Sequence, residues 1–189
     1  MIAIRMLLAM TLLTGLLYPL ATTALARLLF PRQAGGSLVM HDGRVTGSEL
    51  IGRQFDQPRH FWPRLSATGP FPYNAASSSG SNYGPLNPDL KKAMDARRAA
   101  LSEADPGNRL PAPVDLLTAS ASGLDPHISP EAAAYQATRV ARVRGLPLAE
   151  VQRLIALHTT PRKFGALGEP VVNVLLLNRA LDGSGANLE

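Results

Sequence analysis

The sequence predicts an α+β protein: a single N-terminal transmembrane helix followed by one soluble α+β domain. Three observations carry that prediction. Met6 to Ala26 is a run of 21 residues without a charged side chain. Behind it, short strand-like segments mix with helices that open on Asn-Pro, Ser-Pro or a bare Pro. Cysteine is absent, so the domain has to be held by an ordinary core rather than by disulfides. The division drawn from these is 1–32 for the anchor and its flanks, and 33–189 for the soluble domain, a size that buries a core without metals.

The anchor comes first. At a rise of about 1.5 Å per residue, Met6–Ala26 spans about 30 Å, the thickness of a bilayer core. Gly15 and Pro19 would break a soluble helix, but a membrane span tolerates them when neighbouring helices satisfy the freed backbone groups. That predicts a helix packed against a partner, and Tyr18 sits beside the proline. A second reading fits the same residues. Arg5 can head a signal peptide, Met6–Leu20 can be its apolar stretch, and Ala24-Leu25-Ala26 resembles a cleavage site. An exported ligand-binding or hydrolytic domain would then be released. Leu28-Leu29-Phe30 continue the apolar run past that site, which favours retention. Arg5 stands on one side and Arg27 and Arg32 on the other, so charge gives no clear orientation.

The formal charge of +5 shrinks once the anchor is set aside. Three of the 19 basic residues flank the helix; the other 16 face 14 acidic ones. Scattered basic residues and only 5% aromatics exclude a nucleic-acid partner.

Along the domain, Pro31–Gly36 reads as a linker. Ser37–Ser48 reads as two short strands around an Asp42-Gly43 turn. Glu49–Phe55 reads as a further strand or a turn. Pro58–Pro88 is rich in Pro, Gly, Ser and Asn, yet carries Phe61, Trp62, Phe71, Tyr73 and Tyr83. It is therefore expected to be an ordered irregular loop, its rings covering the core or offered to a partner. Asn87-Pro88 starts a helix that ends at Asp105–Asn108. Val114–Ser120 reads as a buried strand. Ser129-Pro130-Glu131 starts a second helix closed by Gly145. Pro147 starts a third, with Leu148, Val151, Leu154, Ile155 and His158 on one face. Val171–Asp182 reads as a core helix whose start could be a strand.

Chemistry is sparse. His41, His60, His127 and His158 do not stand at metal-ligand spacings, so no metal site is expected. No P-loop or dinucleotide fingerprint occurs. Two Ser/Gly-rich stretches, Ser77–Asn82 and Ser120–Asp125, could present backbone amides to an anion, and Ser120, Ser122, Gly123 and Asp125 of the second are the nucleotide candidates. A Ser122–His127–Asp125 set can be assembled, but no GxSxG elbow surrounds the serine. Leu117–Pro130 is the most specific local feature, a strand-to-helix connection in which Asp125 accepts backbone hydrogen bonds.

Several longer motifs resemble a known family. Gly36-Ser37-Leu38, Gly47–Gly52, Ser66-Ala67, Tyr73-Asn74 and Gly80-Ser81-Asn82 are similar to the C subunit of the Kdp-type potassium-transporting P-type ATPase. So are Val114-Asp115, Thr118–Asp125, Ile128–Pro130, Tyr135-Gln136, Arg139–Ala141, Gly168–Asn173, Leu177-Asn178 and, in the anchor, Tyr18-Pro19. The likeness runs through essentially the whole chain. Leu65 departs from it, standing where the family usually has proline, which frees φ and restores an N–H.

The resemblance implies an uncleaved single-pass anchor in the bacterial plasma (inner) membrane. It implies no catalytic residues, no metal and no cofactor of its own, with ATP and potassium acting at the level of the complex. Its partners would be membrane lipid, a potassium-selecting channel-like subunit, a P-type ATP-hydrolysing subunit and a small accessory peptide. The subunit would assist assembly and raise the catalytic subunit's affinity for ATP. A cytoplasmic amino terminus would put the domain outside, away from ATP, so any effect on ATP must cross the membrane. Phe61, Trp62, Tyr73, Asn74, Gly80, Ser81 and Asn82 are then the candidate partner surface.

Overall fold

Pro19 lacks the N–H that an α-helix would bond to Gly15, and its ring crowds that carbonyl. In the computed structural model, which describes residues 1–41 and 43–185, one wider turn absorbs the problem. Helix α1 (Ile2–Leu12) passes through a π turn (Leu13–Leu17) into α2 (Tyr18–Leu29), and the Tyr18 N–H bonds the Leu13 carbonyl five residues back. The hydroxyl of Thr22 bonds the Tyr18 and Pro19 carbonyls at 2.9 and 3.1 Å. The whole of Ile2–Leu29 is 28 residues with mean hydropathy 1.7, longer and more apolar than a bilayer crossing requires. None of its large apolar side chains is buried within the chain. Such a surface suits lipid and not water.

The chain divides into two compact units, Met1–Ser48 and Glu49–Glu189. In the first, the expected linker is instead a single helical turn, α3 (Pro31–Ala34). Proline at a first helical position is pre-set for that turn, and Gly36 with positive φ ends it. Strands β1 (Leu38–His41) and β2 (Arg44–Ser48) pair antiparallel as expected. A bulge falls between Val39 and Met40, where the Thr46 hydroxyl bonds the Val39 carbonyl at 3.0 Å. Gly43 takes the positive φ that a tight hairpin needs; Asp42 lies outside the described residues.

In the second unit, α6 (Pro130–Arg144) and α8 (Val174–Gly185) pack on a small antiparallel sheet, α7 (Leu148–Leu157) packs against both helices, and α4 (Pro88–Ala104) packs on the segment Val114–Leu117. The sheet runs in the order β3 (His127–Ile128), β5 (Val171–Asn173), β4 (Thr159–Thr160). Asn87 and Ser129 cap their helices through their side chains, as their sequence positions predict. Gly145, at φ 68°, closes α6, and the Leu146 N–H reaches back to the Ala141 carbonyl. Small residues let α6 sit close to its neighbours: Ala132, Ala133, Ala137 and Val140 are all buried. On α7, Val151, Leu154 and Ile155 are buried, whereas Leu148 and His158 lie at the edge.

A second expectation fails within the domain. Val114–Ser120 is not a strand. Val114–Leu117 forms one helical turn, α5, and only Ala119 makes a β-bridge, parallel to Leu65. Pro113 precedes the turn and Asp115 stands in its first positions, where its carboxylate also accepts the Ser129 N–H at 2.7 Å. The rest of the domain matches the α+β prediction, including a strand, β5, leading directly into α8.

The Pro58–Pro88 stretch contains no regular element before α4 begins at Pro88, beyond a 3-10 turn at Ala75–Ser77. Two buried amides hold its first part. Asn178 on α8 accepts the Phe61 N–H at 2.8 Å and donates to the Phe61 carbonyl at 3.0 Å. Gln136 on α6 does the same for Trp62, at 2.8 and 3.1 Å. Phe61 and Trp62 are thereby pinned in the core. The guanidinium groups of Arg97 and Arg139 lie 4.9 and 5.0 Å from the Trp62 ring centroid.

Candidate functional site

The expected strand-to-helix connection is where three loops interlock. Around Ser120–Asp125 pack the turn at Leu50–Gly52 and the stretch Arg64–Asn82. The Gly52 N–H bonds the Leu124 carbonyl at 2.8 Å, and the Ser120 N–H bonds the Leu65 carbonyl at 3.1 Å. Ser66 Oγ donates to the Gly123 carbonyl at 2.7 Å and accepts the Tyr73 N–H at 2.9 Å. Ser78 Oγ donates to the Ser122 carbonyl at 3.0 Å.

Glycines make this approach possible. A Cβ on Gly52 would lie 2.3 Å from the Tyr73 ring, and one on Gly80 would lie 2.6 Å from the Ala121 carbonyl oxygen. On Gly123 it would lie 2.5 Å from Thr68 and 2.7 Å from the Ser79 carbonyl oxygen. Real side-chain carbons do not approach so closely, so a side chain at any of the three would force its neighbours to shift.

Asp125 is the electrostatic centre. Its Oδ1 accepts the His127 N–H at 3.0 Å and lies 3.3 Å from His127 Nδ1; its Oδ2 meets Arg64 Nη1 at 3.2 Å. Partial burial alone would raise this carboxyl, but the His127 hydrogen bonds and the Arg64 charge together hold it below its ordinary range. Arg64 also donates to the Ala119 carbonyl at 3.2 Å. Its own carbonyl accepts the Tyr73 hydroxyl at 2.6 Å, and burial pushes that phenol well above its ordinary value. Arg64 is thus the residue that sequence reasoning missed. It is 61 positions from its carboxylate, with no local pattern to mark it.

Beside this cluster lies an open depression of roughly 480 Å³, lined by Leu50, Arg64, Ser120, Ser122, Leu124 and Asp125. Of the nucleotide candidates, Ser122 is exposed and Asp125 half-buried, while Ser120 and Gly123 are buried. The Gly123 N–H is directed to the Ser120 carbonyl and the Leu124 N–H to Ser122 Oγ, so both are engaged within the loop. Asp125 does hold His127; the Ser122 hydroxyl instead faces Leu124. Among the described residues, no cluster of His, Asp and Glu stands ready for a metal ion.

The candidate partner residues separate by exposure. Phe61, Trp62, Tyr73 and Asn74 are buried; Gly80 and Ser81 are half-buried and Asn82 is exposed. Phe71 and Tyr83 are the rings of this stretch that reach the surface. Asn74 caps the Ala75–Ser77 turn through the Ala76 N–H. Tyr73 and Asn82 take positive φ, at 60° and 52°, and Gly80–Asn82 is irregular backbone rather than a turn. In the apolar helix, Met6 and Tyr18 are exposed and Ala26 is half-buried.

The histidines at the edge of the domain predict a pH dependence of its stability. Burial lowers the His60 and His158 imidazoles below their ordinary 6.5, and the Arg144 charge adds to this at His60. The unfolded chain therefore binds protons at these rings more readily than the folded one. Their contribution to stability is complete above about pH 6.5 and is lost as pH falls towards the lowered folded values. The urea midpoint of the full chain in detergent is expected to drop between pH 7.5 and 5. The drop should be smaller in a His60→Gln/His158→Gln variant; equal drops would assign the effect elsewhere.

Comparison with known proteins bears on all of this. The family model for the K+-transporting ATPase, c chain, matches residues 1–183. The potassium-transporting ATPase KdpC subunit of Herpetosiphon aurantiacus is 61% identical over 180 residues, covering 95% of this chain and 93% of that one. Its counterpart in Methylococcus capsulatus is 62% identical over 180 residues, with 95% of each chain covered. That of Polaromonas naphthalenivorans is 63% identical over 173 residues, covering 92% and 88%.

Proposed function

Since the chain belongs to the family of the K+-transporting ATPase c chain, we propose that it is a non-catalytic membrane subunit of a potassium pump that stabilises the assembled complex and raises its affinity for ATP. The observation that carries this reading is the continuity of the match. It begins at residue 1 and takes in both the apolar helix and the whole core of the domain. The helix is thus part of what the relatives share, and its apolar run continues through Leu28-Leu29-Phe30 past the Ala24-Leu25-Ala26 site, which supports retention over cleavage. The partners in this reading are a potassium-selecting channel-like subunit, a P-type ATP-hydrolysing subunit that carries the catalytic residues, a small accessory peptide, and lipid. The domain stands on the extracytoplasmic side of the plasma membrane.

The loop cluster supports a shaping role. Arg64, Ser66, Tyr73 and Asp125 are bonded to one another or to nearby backbone, which favours a fixed surface for contact. A subunit outside the membrane can still influence ATP inside. If it binds the ATP-competent state of the complex more tightly than the other state, linkage requires ATP binding to be tighter in its presence by the same factor. Couplings of this kind are typically about 5–150-fold. Binding of a non-hydrolysable ATP analogue should therefore weaken by at least about fivefold when the complex is prepared without this chain. Equal affinities would remove the proposed effect on ATP. Protease treatment of sealed cells checks the sidedness: digestion of the domain from outside is expected, and protection would overturn it.

A further inference from the structure

The segment between β4 and β5 is unlike the rest of the domain. Thr160 pairs with Val171, so residues 161–170 form an arm that leaves the sheet and returns to it. Every residue from 161 to 169 is exposed, yet the arm is internally braced. Lys163 and Leu167 exchange two backbone hydrogen bonds, each 2.9 Å. Arg162 Nη2 meets Glu169 Oε2 at 2.6 Å near its base. Gly165 and Gly168 take positive φ and turn the tip.

At that tip Phe164 is 95% exposed and itself holds φ at +54°. A bulky side chain rarely adopts this conformation, and such strain clusters at functional sites. Leu167, 61% exposed, shares the same braced tip. The domain's own core draws nothing from either ring or branch. A large aromatic kept in water on a braced support is the form of an interface anchor, since the backbone that carries it has little freedom left to lose on binding.

We infer that residues 161–169 are a docking arm whose Phe164 inserts into an apolar socket, rimmed by carboxylates, on another subunit of the pump. This rests on the reading of the chain as a pump subunit. Charge argues for the acidic rim: Lys163 adjoins the phenylalanine and Arg162 is matched by Glu169, leaving the arm with a net charge of +1. The same count argues against a lipid surface, where recognition uses clusters of about four to eight basic residues.

The test uses the full chain in the assembled complex. A photo-reactive benzoylphenylalanine at position 164 should crosslink to one discrete peptide of another subunit. Phe164→Ala should weaken retention of the chain in the complex on the order of tenfold or more, as a central aromatic anchor does. Its thermal midpoint should stay unchanged because the ring makes no internal packing. Leu110→Ala, a change at a residue 66% exposed elsewhere on the domain, serves as the control and should leave retention unaltered. Crosslinks to lipid or to a second copy of this chain, or retention of Phe164→Ala equal to wild type, overturn the arm while leaving the subunit reading intact. Failure of the wild-type chain itself to co-purify with the pump overturns both.

Discussion

Asn178→Leu is expected to destabilise the chain by roughly 2–6 kcal/mol, because it strips partners from two buried backbone groups at about 1–3 kcal/mol each. Asn178 is 1% exposed and its carboxamide serves both the N–H and the carbonyl of Phe61. The leucine conserves much of the volume, so the effect isolates the hydrogen bonds rather than a cavity. Phe61 is fully buried, and its backbone has no water to turn to once the amide is gone. Gln136→Leu should act in the same direction through Trp62. The two clamps hold adjacent residues, so their effects should not add; the double variant should lose less than the sum. Trp62 is the chain's only tryptophan, so urea unfolding followed by its fluorescence reads this region directly. A change below about 1 kcal/mol for Asn178→Leu would mean that the loop finds other partners.

Gly123→Ala is the second large effect. Gly123 holds φ at +67°, which costs a residue bearing a Cβ about 1–2 kcal/mol. The added methyl also meets Thr68 at 2.5 Å and the Ser79 carbonyl at 2.7 Å, and overpacking of this kind typically costs about 1–3 kcal/mol more. The expected loss is therefore roughly 2–5 kcal/mol. Gly145→Ala supplies the comparison: its φ is +68°, but nothing lies within 4 Å of a Cβ there. It should lose only the backbone part, about 1–2 kcal/mol. Equal losses in the two variants, measured by urea unfolding, would show that the loops give way and that the close approach at Gly123 is soft.

Both effects arise where the sequence was hardest to read. Elements marked by local chemistry were legible: Asn87-Pro88, Ser129-Pro130 and Gly145 bound their helices because capping acts within a turn. Asp125 was legible for the same reason, since its bond to the His127 N–H spans two residues. Val114–Leu117 was not, because periodicity in a four-residue apolar run cannot separate a strand from a helical turn. Long-range partners left no local trace. Phe61 and Trp62 were balanced between core and partner surface, and what placed them inside were amides 117 and 74 residues away. A glutamine amid buried alanines on α6, and an asparagine ending a leucine run on α8, were the available hints. Each is a polar group on an apolar face that needs a partner.

The π turn in the first helix changes how its surroundings must be mapped. Inserting one extra residue rotates everything after Leu17 by about 100° relative to the register before it. A stripe drawn from Ala9 to Ala21 and Ala24 on ordinary helical spacing therefore does not follow one side of the helix. Crosslinking scans that place cysteines every three or four residues will see the neighbour change sides between the two halves, and the discontinuity will mark the bulge rather than a second partner.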